Sequence, residues 1–315
     1  MNADINNVLY WSATIADNEP NVDGQLAQTA NSGFKTVLLW SLHIVGLGDG
    51  LGRTPGDLYW NDTPLVTTVA GVSTFDPKKQ FTRLHQRLVT LIGPDTDVYS
   101  IFFSIGAGGT SDFTAVQQLL ASENGTNTLI TNFQTLLSNL PTITGFDFDN
   151  EDNFDVGTIA KFTALLFTNF SSAITFCPYY DFDFWEACME KIYSGLGKQP
   201  VLWWNLQCYS GGNGNNPVQW AAQLAADQAR NGVEDPDNFI IAGYAAMNTQ
   251  GDGPGLCPSG INRVFKPFKD RVGGGFIWNS QHIFNNTASC DGQVPVIADY
   301  VDAINSALTS QVVRA

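Results

Sequence analysis

Short runs of β-branched and aromatic residues alternate with longer amphipathic stretches along nearly the whole sequence, and that rhythm limits the fold to a few architectures. The strand-like runs are NVLYWSA (7–13), FKTVLLWSL (34–42), DVYSIFFSI (97–105), ITGFDFD (143–149), SAITFC (172–177), PVLWWNLQ (200–207), FIIAGYA (239–245) and GGFIWNS (274–280). Several are apolar almost throughout, as parallel strands covered by helices are. Helical periodicity lies between them, at 79–93, 112–137, 156–170, 216–232 and 294–313. The stretch 216–232 opens on Asn216 as N-cap with Pro217 in the first turn, and it closes on Gly232. Eight strand–helix pairs with no composition break predict a single (β/α)8 TIM barrel over 1–315, with an open doubly wound sheet as the alternative. The longest irregular stretch, 43–76, follows the second strand and contains a hairpin built from DLYW and PLVTTV. Loops after barrel strands rim the active face, so this insertion is expected to wall one side of a cleft.

Charge narrows the partners. The net charge is −15, and only 14% of residues are charged, against roughly 25% in an average chain. Nucleic acid and anionic membranes both require positive charge and are disfavoured, whereas a neutral substrate is indifferent to the field. No apolar run is long enough to span a bilayer. The N-terminal MNADINNVLYW lacks the basic and apolar regions of a secretory leader, which fits a cytosolic chain or one whose leader has been removed. Five cysteines without a C-x-x-C disfavour zinc; they fit either two disulfides and a free thiol, or five buried thiols. Sequons at Asn61, Asn124, Asn169 and Asn285 are what so Asn-rich a chain produces by chance.

The glycine-rich loops at 104–109, 209–216 and 251–255 complete neither G-x-G-x-x-G nor G-K-[ST], so tight turns explain them. His43, His85 and His282 form no H-E-x-x-H pair, and there is no G-x-S-x-G elbow, which disfavours zinc and serine-triad hydrolysis. The segment TGFDFDNED (144–152) is different. It sets Asp147, Asp149 and Glu151 at alternate positions, with Phe146 and Phe148 between them. On a strand the acids share one face, spaced by roughly 6.6 Å, and the phenylalanines share the other. An EF-hand loop would need glycine and glutamate where Asp152 and Thr158 stand. Three acids this close cannot all ionise cheaply, so at least one is expected to keep its proton near neutrality. A protonated Glu at the end of a barrel strand is a proton donor for a leaving glycosidic oxygen; the plainer alternative is a proton-sharing network in a polar barrel centre.

GFDFDNE resembles the D-G-x-D-x-D-x-E signature of glycoside hydrolase family 18, the chitinase family, and agreement extends over most of the chain. LYWSA (9–13), FFSIGAGG (102–109), WWNLQCYS (203–210), IAGYAAMNTQGDGPG (241–255) and GGGFIWNS (273–280) resemble successive strands of its plant class III, hevamine-like branch. The resemblance implies hydrolysis of β-1,4 linkages between N-acetylglucosamine units, in chitin or chito-oligosaccharides, with retention and no enzyme nucleophile. The substrate's N-acetyl oxygen attacks the anomeric carbon instead. It implies that Glu151 is the general acid and then the base, that Asp149 steadies the oxazolinium cation, and that Asp147 shares a proton with Asp149. Tyr209 would hydrogen-bond the acetamide oxygen, with Gln207 nearby, and Trp278 would floor the −1 sugar unless it is an ordinary core tryptophan. Tyr10, Ser104 and Gly106 complete the expected substrate contacts. The signature's leading Asp is Thr144 here, and its S-x-G-G equivalent ends on Ala107.

The same resemblance leaves two other readings open. One is a carbohydrate-binding or inhibitor protein on this barrel, its cleft blocked by the 43–76 insertion; the other is an endo-β-N-acetylglucosaminidase acting on N-glycans. The retained Asp147, Asp149, Glu151 and Tyr209 favour the hydrolase, and the Gln-x-Tyr strand with Trp278 favours chitin over N-glycans. The expected partner is a saccharide containing N-acetylglucosamine, bound by a secreted monomer that needs no cofactor or metal.

Overall fold

In the computed structural model, which describes residues 5–12, 15–77, 81–248, 255–290 and 292–309, eight parallel strands close on themselves. In chain order the strands are β1 (Asn6–Trp11), β2 (Thr36–Ile44), β3 (Leu58–Trp60), β4 (Thr63–Val69), β5 (Val72–Phe75), β6 (Ser100–Ile105), β7 (Ile143–Phe148), β8 (Ala173–Phe176), β9 (Val201–Gln207), β10 (Ile240–Ala245) and β11 (Gly274–Trp278). β1 pairs in parallel with both β2 and β11, and β2 continues through β6 to β11, so the ring has no free edge. This is the (β/α)8 barrel that the alternation predicts.

β3, β4 and β5 stand outside the ring as an antiparallel extension of β2. They contain the expected hairpin and one further strand. Ala70 and Gly71 join β4 to β5 with φ of 50° and 79°, the positive values a two-residue hairpin turn requires.

The strands bury both faces. Outward, between barrel and helices, Phe148 stacks on Phe162 and Phe176 at 5.2 and 5.5 Å, while Phe146 meets Phe133 edge-on at 5.0 Å. Inward, Val8, Tyr10, Leu38, Phe102, Ile241 and Phe276 form a separate apolar cluster inside the ring. The helical periodicity at 112–137 resolves into two helices, Asp112–Leu120 and Glu123–Asn139, because Ser122 accepts the N–H of Gly125 and caps a new start. That at 216–232 breaks at Asp227; Asn216 caps its first part as expected, and Gly232 ends the second at φ 72°. One disulfide, Cys257–Cys290, ties the loop after β10 to the loop after β11, and Cys177, Cys188 and Cys208 are buried thiols. This arrangement matches neither cysteine alternative drawn from the sequence. No helix among the described residues is long and apolar enough to cross a membrane.

Candidate active site

β7 ends at Phe148, and the next three residues carry the chain over the C-terminal rim of the barrel. Asn150 fixes the exit: buried, it accepts the N–H of Asn153 at 3.1 Å and donates to that residue's carbonyl at 2.6 Å, closing a tight turn that leaves Glu151 above Asp149.

The three acids sit in three different environments. Asp147, fully buried, has both oxygens saturated: Tyr10 (2.9 Å) and Ser104 (2.8 Å) donate to Oδ2, and Thr175 (2.6 Å) and Asn205 (2.9 Å) donate to Oδ1. Burial raises its pKa, and the four donors pull against that rise. Trp40 Nε1 donates to Asp149 Oδ2 at 3.0 Å, and the Cys177 thiol beside it also favours the ionised form. Asp149 Oδ1 is buried without a hydrogen bond. Burial, then the charges of Glu151 and Asp147, drive the Asp149 pKa well above the carboxylate range. Glu151 is half-buried, with no hydrogen-bond partner among the described residues, and burial alone raises its pKa. The resulting stack is one saturated carboxylate at the base, one pushed strongly toward its neutral form, and one half-buried at the rim with its pKa raised by burial.

Aromatic rings surround the stack. Trp278 meets Trp40 edge-on at 4.8 Å, lies 5.4 Å from Tyr10 and stacks on Tyr209 at 6.2 Å and 25°. Gln207 Nε2 donates to the Tyr209 hydroxyl at 3.4 Å, and Cys208 points the other way into the outer core, as their parity requires. Two glycines let the rim close tightly. A Cβ on Gly106 (φ +93°) would lie 2.4 Å from the Asp149 carbonyl oxygen, and one on Gly108 would lie 3.2 Å from Glu151 Oε2.

The structure thus brings every residue expected at the site to one end of the barrel, but it divides their tasks differently. Tyr10 and Ser104, expected among the sugar contacts, are 1% and 0% exposed and spend their hydroxyls on Asp147. Gly106 packs under the Asp149 backbone. Asp147, expected to share a proton with Asp149, gives its hydrogen-bonding capacity to the four donors instead. Trp40, Thr175 and Asn205 went unremarked in the sequence. Asn205 and Thr175 were legible as polar residues flanked by apolar ones, which demand a buried partner, and Trp40 shares the inward parity of Thr36 and Leu38.

A chitinase from Bacteroides thetaiotaomicron shares this architecture with a TM-score of 0.58 over 99% of this chain and 98% of that one, at 11% identity. A GH18 chitinase from Cycas revoluta, in complex with (GlcNAc)4, gives 0.55 over 94% and 98%, also at 11% identity. The chain has the fold of the family 18 chitinases. A chitinase-like agglutinin from Robinia pseudoacacia has the same fold, at a TM-score of 0.54 over 96% and 99% of the two chains and 11% identity. The family 18 fold therefore accommodates proteins described as hydrolases and one described as an agglutinin. No protein-family model matches the sequence, and no curated protein does.

Proposed function

We propose that this protein hydrolyses β-1,4 linkages between N-acetylglucosamine units by substrate-assisted, retaining catalysis. The observation that carries this reading is the graded carboxylate stack: saturated Asp147, strained Asp149, and half-buried Glu151, without a hydrogen-bond partner among the described residues and with a raised pKa. Glu151 donates its proton to the departing glycosidic oxygen, and the substrate's N-acetyl oxygen attacks the anomeric carbon from the opposite side. Asp149, directly below, turns a carboxyl oxygen upward to accept the acetamide N–H once substrate is bound. The Tyr209 hydroxyl, oriented by Gln207, holds the acetamide oxygen, and the Trp278 indole supports the apolar face of the sugar. Glu151, now ionised, then takes a proton from water as the ring intermediate opens.

The agglutinin of the same fold gives the second reading, saccharide binding without turnover. Against it stands the stack itself, because a binding protein has no need for a proton donor beside a destabilised carboxylate. Secretion is part of the proposal and is supported by Cys257–Cys290, a bond suited to an oxidising compartment.

Replacing Glu151 by Gln separates the readings. Cleavage of N-acetylglucosamine oligomers should fall by about 10²–10⁴-fold, while calorimetry should still detect binding. Undiminished cleavage would remove Glu151 from the chemistry. Binding by the wild type without any turnover would favour the agglutinin-like reading.

A further inference from the structure

Outside the carboxylate stack, Ser41, His43 and Asp112 form a second polar chain. His43 Nδ1 lies 2.9 Å from Asp112 Oδ2, and His43 Nε2 lies 2.9 Å from Ser41 Oγ. The connectivity is that of a nucleophilic triad. Ser41, however, is 1% exposed, so no carbonyl can approach its hydroxyl. The chain must serve something other than acyl transfer.

Its position in the sheet indicates what. Along the β2–β6 pairing, Trp40 faces Ser104 and Leu42 faces Ile105, so Ser41 is an extra residue inserted into β2. Such a bulge bends its strand and re-aims the neighbouring side chain. The neighbour here is Trp40, whose indole donates to Asp149 Oδ2 at 3.0 Å. The bulge displaces backbone groups from the ladder, and other elements take them up: Trp60 Nε1 donates to the Trp40 carbonyl at 3.2 Å, and the Asn61 N–H donates to the Ser41 carbonyl at 2.9 Å. The Ser41 hydroxyl is fixed by His43. The same hydroxyl lies 3.5 Å from Asn61 Oδ1, so β2 and the segment after β3 both hold it. Asp112 Oδ1 also accepts the N–H of Ile44 at 2.7 Å, which anchors the far side of the bulge.

The same helix start reaches the acid. Asp112 opens helix Asp112–Leu120, and the next two N–H groups, of Phe113 and Thr114, donate to the Asp152 carboxylate at 3.2 and 2.9 Å. Asp152 follows Glu151 directly. One helical turn therefore grips both arms of the site: through His43 and Ser41 it reaches Trp40 and Asp149, and through Asp152 it reaches Glu151.

We propose that Ser41, His43 and Asp112 are positioning residues that hold the Trp40 indole on Asp149 and keep that carboxylate in register with Glu151. This inference rests on the proposed hydrolase reading for its kinetic consequence but not for its geometric one. A misplacement of about 1 Å at a reacting group costs on the order of 10²-fold in rate, which is how residues that never touch substrate come to govern turnover.

The test uses Ser41→Ala and Asp112→Asn in the full chain. Proton–nitrogen NMR follows the Trp40 indole N–H, which is identified by its loss in Trp40→Phe. In both variants this signal should move toward its position in Asp149→Asn. Turnover of N-acetylglucosamine oligomers should fall by about 10-fold or more, with KM changed by less than about two-fold, since an interaction made in the transition state is what weakens. An indole signal left at its wild-type position, or an unchanged kcat, overturns the proposal. If the wild type proves unable to cleave, the hydrolase reading fails by itself and the indole signal alone decides the relay.

Discussion

Asp149 occupies the costliest environment of the three acids, buried between two other carboxylates with one oxygen unbonded. Its raised pKa means that the folded chain keeps a proton the unfolded chain would release, so this position lowers stability as pH climbs above the ordinary carboxylate range. Asp149→Asn should therefore raise Tm at neutral pH, and the gain should vanish in acid, where both states are protonated. Thermal scans across pH would reveal this; a variant no more stable than wild type at neutrality would show that the buried carboxylate carries no penalty. Alternation set Asp147 and Asp149 on one face, but β7 ends at Phe148, and Glu151 reaches its place above Asp149 through the Asn150 turn. What alternation could not show was how each acid would be partnered. The four donors to Asp147 come from four other strands, β1, β6, β8 and β9. That convergence is a product of barrel closure, and Ser104, Thr175 and Asn205 betray it as polar residues in apolar runs.

At the scale of elements, the rim depends on close backbone approach. Gly106 lets the loop after β6 pass against the chain leaving β7. Gly106→Ala would face both a 2.4 Å contact with the Asp149 carbonyl and a positive φ of 93°. Denaturant unfolding should record a loss of at least about 2 kcal/mol, accompanied by reduced turnover; an unperturbed variant would mean that the loop shifts freely. The eight barrel strands were legible because each is a compact apolar run, and the hairpin at 58–69 because its segments alternate around turn residues. Helix breaks were less so. Ser122 and Asp227 interrupt stretches whose apolar period continues across them, so periodicity joined what local capping separates. The cysteines also escaped the sequence, since Cys257 and Cys290 meet only where the loops after β10 and β11 converge. The 43–76 insertion, expected to wall a cleft, also supplies Trp60 and Asn61 to the bulge beneath Trp40.

For the molecule as a whole, a net charge of −15 surrounds a site proposed to take a neutral sugar chain. A neutral ligand feels no long-range steering, so kcat/KM on N-acetylglucosamine oligomers should vary by less than about two-fold between low and high salt. A steep salt dependence would point to a charged substrate. The family 18 likeness of fold extends over 99% and 94% of the chain in these two chitinases, despite 11% identity to each. That pairing is understandable: a (β/α)8 barrel tolerates any apolar residues of suitable volume in its layers, whereas chemistry at the rim fixes only a few positions. The most direct measurement is proton NMR of the first products released from an N-acetylglucosamine oligomer by the wild-type protein. The account predicts that the β-anomer appears first and mutarotates afterwards, as substrate-assisted retention requires; initial release of the α-anomer, or tight binding with no product at all, would contradict it.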